Sequence, residues 1–491
     1  VVAPPSLAPA ASPVAAPAPP SLSGIWLGAL HYGGKELRLQ IHLDLAQTPP
    51  SCAFDSLDQG GMGIPCTNVV ASATSLSLDV PVIGGTLAGP VSADGNTVNA
   101  IWTQAGTGLA LVLTRQAKAI EAPKAALDPA IPPVDIEKIQ SLLDADLAGA
   151  LATGDLAPAT GGGVTIGVVG HGVRHIFSYG AAKPDSLFEI GSVSKTFTGL
   201  LLAQMTQQKK VHLDEPVRAL LPAGTVAAPG SGAEITLVDL SAQRSGLPRM
   251  PDNFKPADDT NPYADYDAKA LYAFVTSYGV ALPAKLEVGY SNLGVGLLGQ
   301  ALANRAGVPY EALLHKEITG PLAMRDTAIT LTPPLRARFL VGHDAQHRPA
   351  SAWDFAALAG CGGIRSTAAD MLTYLEAQLH PDHLPAAVRA TAEGKTLAAA
   401  IAASHALQAD AGDGMHIALN WFRYDETGSF WHNGATGGYS AFALFNPEKD
   451  VAAVVLFNTT VGGEDFADAV GRHIIQRLTG RPAISLTPAA H

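Results

Sequence analysis

The sequence predicts a small all-β barrel or sandwich followed by a mixed α/β (α+β) body, and three observations carry that prediction. Between residues 23 and 115, apolar and polar residues alternate at a period of two; from about Asp135, helical periodicity alternates with short apolar strands; a Pro- and Ala-rich stretch separates the two regimes. At 491 residues the chain suits two to three domains, one of which can hold a large core.

Residues 1–22, rich in Pro and Ala, read as a leader or linker, of the kind left by signal-peptide removal or trimming; export to the periplasm or medium is the expectation. In the 23–115 segment, Leu37, Leu39, Ile41 and Leu43 alternate with charged and polar neighbours, the pattern of half-buried strands. "SLSLDVPVIGG", "TVNAIWTQ" and "GLALVLTR" add strands bounded by Gly, Asp-Gly or Asn turns, and Trp26 and Trp102 are expected in their core. Residues 116–135 form the expected linker and 136–482 the second domain, with 483–491 as a tail. In that domain "IEKIQSLLDADLAGAL" and "LLGQALANRAG" read as helices and "GVTIGVVG" as a strand, while "SAFALFNP" and "VAAVVLFNT" are joined by a turn short enough to require an antiparallel hairpin.

Composition narrows the function classes. A net charge of −12, with 31 scattered Lys and Arg, speaks against a nucleic-acid partner. The longest apolar runs, Leu397–Ala403 and Val451–Phe457, fall far short of the roughly 20 residues that span a bilayer. Cys52 and Cys66 are close enough in sequence for a disulfide in an oxidising compartment, or they are two free buried thiols; Cys361 stands apart.

The chemistry centres on "FEIGSVSK", where Ser192 and Lys195 stand three residues apart and share one face if the segment is helical. A serine hydroxyl needs a base, and a lysine serves only if its surroundings favour the neutral amine; Phe188, Ile190, Phe197, Leu200 and Leu201 offer desolvation. An arbitrary S-x-x-K is usually a snorkelling lysine. Here no other lysine follows a serine at that spacing, and two further motifs occur in order: "VGYSNLG", with Tyr290 and Asn292, and "FWHNGATGG", with His432, Asn433, Gly434 and Ala435. There is no G-x-S-x-G for an α/β-hydrolase elbow and no H-E-x-x-H for a zinc protease. His343, Asp344 and His347, like His380, Asp382 and His383, read as solvated loop residues rather than metal ligands.

With these three motifs, residues 136–482 resemble the penicillin-recognising serine hydrolases: class C β-lactamases, DD-peptidases, D-aminopeptidases and family VIII carboxylesterases. "HLDEPVRALLP", "ITLVDLSAQRSGLP" and "GGIRSTAADM" are similar to that family too. The resemblance implies an antiparallel sheet flanked by helices, a helical lobe, and a site in the cleft between them. It implies Ser192 as nucleophile, Lys195 as its base and Tyr290 as proton shuttle, with no cofactor or metal. Asn292 then orients Lys195 or binds the substrate amide, and the backbone N–H groups of Ser192 and Ala435 form an oxyanion hole. His432 replaces the lysine of the family's K-T-G pattern, so a weaker, pH-dependent grip on a substrate carboxylate is expected and β-lactam hydrolysis is less so. The resemblance points to a peptidase or amidase on short or unusual peptides, including linearised cyclic peptides such as microcystin. The alternatives are a carboxylesterase, a β-lactamase, or a penicillin-binding sensor that does not turn over. The expected partner is a small-molecule or short-peptide substrate, and a homo-oligomer is possible.

Overall fold

In the computed structural model, residues 21–486 are described except for 33–34, 48–49, 58–60, 81–83, 105–106, 121–126, 153, 231, 345 and 461–465; nearly all of the expected leader lies outside them. The chain divides into two units, Val1–Lys124 and Ala125–His491.

In the first unit, period-two alternation becomes a nine-stranded antiparallel sheet whose first strand, Gly24–Tyr32, pairs with its last, Thr107–Gln116, placing Trp26 opposite Arg115. The two strands at the ends of the sheet are Gly61–Pro65 and Thr67–Ala71, separated by Cys66 alone. One almost continuous stretch therefore pairs with Ser51–Ser56 on one side and Ser75–Val80 on the other, which closes the sheet as an up-and-down barrel and not a sandwich. Cys52 and Cys66 are joined as a disulfide at that junction. Trp26, Phe54 and Trp102 are at most 2% exposed and fill the interior with Leu39, Ile41 and Leu111, as expected for a barrel this narrow.

The second unit is built on an eight-stranded antiparallel sheet, in the order 173–180, 163–170, 451–457, 440–446, 430–435, 422–424, 415–417 and 409–412. Its central strands Gly163–Gly170, Ser440–Asn446 and Val451–Phe457 are buried at every residue because helices cover both faces, which is why they read as apolar runs rather than alternations. The last two form the expected antiparallel hairpin. Ile139–Asp146 and Phe466–Thr479 pack on one face through Ile139, Leu143, Val470 and Ile474. On the other lie Ser194–Gln207, Ala368–Leu379 and the lobe carrying Ala268–Tyr278 and Asn292–Ala306. Segments expected as linker and tail meet within this unit: Leu127–Asp128 pairs with Ala483–Ile484, and Arg477 donates to Asp128 and to the Pro129 carbonyl. Among the described residues, no helix is long and apolar enough to cross a membrane.

Candidate active site

Ser192 lies in a single 3₁₀ turn, Gly191–Val193, immediately before the Ser194–Gln207 helix, so the spacing to Lys195 spans a turn-to-helix junction. The turn is pinned to the "GGIRST" segment by two hydrogen bonds, one backbone to backbone and one backbone to side chain: Ile190 N–H donates to the Ile364 carbonyl (3.1 Å), and Ile364 N–H donates to Ser194 Oγ (3.1 Å). Opposite it runs the strand Phe430–Ala435, and the approach is so close that side chains are excluded. A Cβ on Gly434 would stand 2.2 Å from the Ile190 carbonyl oxygen and 2.7 Å from Ser192 N. A Cβ on Gly191, whose φ is +48°, would stand 2.7 Å from Ala435 N. This pair of glycines lets the Ser192 turn and the strand that carries Ala435 approach each other closely.

Lys195 is fully buried beneath that surface. Its Nζ donates to Ser192 Oγ (2.8 Å), Asn292 Oδ1 (2.8 Å) and the backbone carbonyl of Cys361 (2.7 Å). The sequence predicts apolar company for this lysine, and Phe188, Ile190, Phe197, Leu200 and Leu201 are all buried; the structure adds three oxygen partners for its nitrogen. Tyr290 leans over the same nitrogen, with Lys195 Nζ 4.8 Å from the ring centroid. Tyr290 and Asn292 reach the site because Ser291 caps the Asn292–Ala306 helix, its Oγ accepting from Gly294 N–H and donating to the Pro248 carbonyl.

His432 and Asn433 part company. In the hairpin His432 is opposite Ala443 and Asn433 opposite Phe442, which belong to opposite faces of the sheet. His432 turns towards Tyr290 (ring centroids 6.1 Å apart), whereas the Asn433 amide bonds to Asp468 on the Phe466–Thr479 helix, so Asn433 does not join the candidate site through its side chain. His432 Nδ1 donates to the Asn433 carbonyl (2.6 Å), and Nε2 is buried without a partner. Burial, reinforced by the positive charge of Lys195, pushes this imidazole down to about 3, against the opposing effect of the Nδ1 hydrogen bond. That corrects the expectation of a histidine switching charge near neutrality: at physiological pH it is an uncharged acceptor.

Several contributors are absent from the sequence motifs. Asn292 Nδ2 donates to Tyr263 Oη (3.2 Å), and burial holds the Tyr263 phenol well above its ordinary range. The Arg249 guanidinium lies over the Tyr290 ring, 5.0 Å from its centroid. Glu189, three residues before Ser192, is 2% exposed and accepts from Trp353 N–H (2.9 Å) and from Arg365 (3.1 Å), itself 6% exposed. Burial raises the Glu189 carboxyl despite Arg365 beside it. "GGIRST" contains Arg365 without saying which atom mattered, and "ITLVDLSAQRSGLP" stops one residue short of Arg249. Of the histidines in the two loop motifs, His347 pairs with Asp155 and His380 with Asp450, while His343 is buried and not the solvated residue expected. A separate cavity of about 730 Å³, lined by Arg174, Lys316, Leu322, His383 and Val388 among others, contains none of the site residues.

The profile of the family described as Beta-lactamase matches residues 154–476, about two thirds of the chain. The chain belongs to this family. As a β-lactamase-fold serine hydrolase it joins the penicillin-recognising superfamily that its motifs resemble. The hydrolase is 27% identical over 307 residues to the D-alanyl-D-alanine-carboxypeptidase/endopeptidase AmpH of Escherichia coli K12, covering 60% of this chain and 78% of that one. It is 27% identical over 363 residues to a Pseudomonas fluorescens β-lactamase (65% of this chain, 93% of that one). It is 25% identical over 338 residues to penicillin-binding protein 4 of Amycolatopsis lactamdurans (65% and 84%). A mutant class C β-lactamase structure superposes with a TM-score of 0.59 at 22% identity, covering 71% of this chain and 99% of that one, a likeness of fold.

Proposed function

We propose that the hydrolase is a peptidase or amidase that cleaves short or unusual peptides, linearised cyclic peptides among them, through an acyl-enzyme on Ser192. The observation that carries the acyl-enzyme is the 2.8 Å bond between Ser192 Oγ and the buried Lys195 Nζ, at the turn that Gly191 and Gly434 bring close to the strand Phe430–Ala435. Ser192 Oγ attacks the acyl carbon while its proton passes to the Lys195 and Tyr290 pair. The carbonyl oxygen, now negative, is held by the backbone amides of Ser192 and Ala435. Tyr290 returns the proton to the leaving nitrogen as the C–N bond breaks, and water then releases the acyl group by the same route reversed. Asn292 orients Lys195, and His432 closes the floor of the site beside Tyr290.

A peptidase is set ahead of a β-lactamase on one consideration, that the lysine of the family's third motif is replaced here by an uncharged histidine; relatives at 27% identity bear a peptidase name and a β-lactamase name alike. The disulfide in the barrel supports export to an oxidising compartment, periplasmic or extracellular. The test is a side-by-side screen of D- and L-amino-acid amides, short peptides, p-nitrophenyl esters and nitrocefin. Turnover of the peptides or amides ahead of the esters and nitrocefin is expected; turnover of esters alone identifies a carboxylesterase, and covalent labelling without turnover identifies a sensor.

A further inference from the structure

His432 cannot offer a proton to an anion, because its one N–H is already given to the Asn433 carbonyl and its Nε2 is buried. A different cation stands at the mouth of the site. Arg249 is exposed, and among the described residues no carboxylate forms an ion pair with it. Its guanidinium lies over Tyr290, the ring that Lys195 approaches from within 4.8 Å. Stacking uses the face of a guanidinium and leaves its N–H edge available, and that edge matches a carboxylate in two parallel hydrogen bonds.

The position of Arg249 is built rather than incidental. Its carbonyl accepts from Leu293 N–H (3.1 Å), that of neighbouring Pro248 accepts from Ser291 Oγ (2.7 Å), and Gln243 accepts from Ser291 N–H (2.8 Å) through its side chain. The segment 243–250 is thus laced to the turn that presents Tyr290 and Asn292, so Arg249 and Tyr290 share one rigid frame.

We propose that Arg249 binds a carboxylate of the substrate and makes the hydrolase selective for acyl donors with a negative group within about three residues of the scissile carbonyl, the reach of a short extended peptide. This rests on the acyl-enzyme reading and adds the chemical class of the preferred substrate.

The test compares p-nitrophenyl esters of short peptides capped either with succinate or with its carboxamide, on the full chain and on Arg249→Gln. The readout is the ratio of kcat/KM for the two caps, which cancels any damage to Tyr290 common to both. The wild type is expected to prefer the succinate cap, less so at high salt. Arg249→Gln is expected to lower the ratio by about 10- to 100-fold, the worth of a charged hydrogen bond, with Arg249→Lys in between. A ratio unchanged by the substitution overturns the proposal, as does a wild type indifferent to the cap. A neutral alkyl fluorophosphonate, run in parallel, separates the two claims. If it modifies Ser192 while the ratio stays flat, only the carboxylate proposal falls; if it leaves Ser192 unmodified, the acyl-enzyme reading falls and the proposal with it.

Discussion

Gly191 and Gly434 meet across the gap between the Ser192 turn and the strand Phe430–Ala435 so closely that neither position has room for a side chain. The approach of the Ser192 turn to the strand that carries Ala435 depends on it. Gly434→Ala must push turn and strand apart, since its Cβ would fall 2.2 Å from the Ile190 carbonyl oxygen. An acyl-transfer site misplaced by an ångström loses about 100-fold, and that loss in kcat/KM is expected here. Gly230→Ala, where a Cβ meets nothing within 4 Å, is the matched control and should leave the rate unchanged.

Lys195 bonds to the carbonyl of Cys361, not to its thiol. Cys361→Ala should therefore retain Ser192 acylation at close to the wild-type rate, with a stability loss of about 1 kcal/mol for the vacated volume. Asn292→Ala removes a side-chain acceptor from the same nitrogen and should slow acylation by about 10- to 100-fold. Equal losses in the two variants would contradict this account of how Lys195 is held.

Two buried histidines contribute to the acid limit of stability. Burial lowers His405 to about 4, and burial with Lys195 lowers His432 to about 3. Both folded values lie below the unfolded value near 6.5, so the unfolded chain binds protons first as pH falls. The stability they contribute is fully present above pH ~6.5 and is lost progressively towards pH ~4 and then ~3. Urea unfolding at a series of pH values should show that slope, and His405→Gln should flatten it. By the same token, His432→Asn should leave the shape of the kcat/KM profile between pH 5 and 8 unaltered; a limb that vanishes in this variant would show a titrating His432.

Arg365 is the partner that makes buried Glu189 tolerable, and it also donates to the carbonyls of Trp353 and Ile329. Arg365→Met leaves a carboxyl buried without its cation and should cost about 3–5 kcal/mol in chemical denaturation. Adding Glu189→Gln should recover part of that loss, because it removes the stranded charge.

How far the sequence reaches depends on the range of the interaction. Ser192, Lys195, Tyr290, Asn292 and His432 were legible because their motifs occur in a fixed order along the chain, and the structure brings all five together. The barrel strands and the final hairpin were legible from period and turn length, while the choice of barrel over sandwich depended on one stretch pairing with both ends of a sheet. The Asn433 side chain lies apart from these five because a motif is read as a string, whereas a strand sends its neighbours to opposite faces. The Cys361 carbonyl has no side-chain signature at all. Arg249 and Glu189 acquire meaning only from partners 41 and 176 residues away, Tyr290 and Arg365, which no local spacing encodes.

The central claim is that Ser192, activated at Lys195, carries the acyl group. Intact-mass analysis after exposure to an alkyl fluorophosphonate tests it most directly. The account predicts one adduct on the wild type, mapped to Ser192, and none on Ser192→Ala or at appreciable rate on Lys195→Met. An adduct of equal yield on Ser192→Ala, or one mapped to another residue, would contradict it.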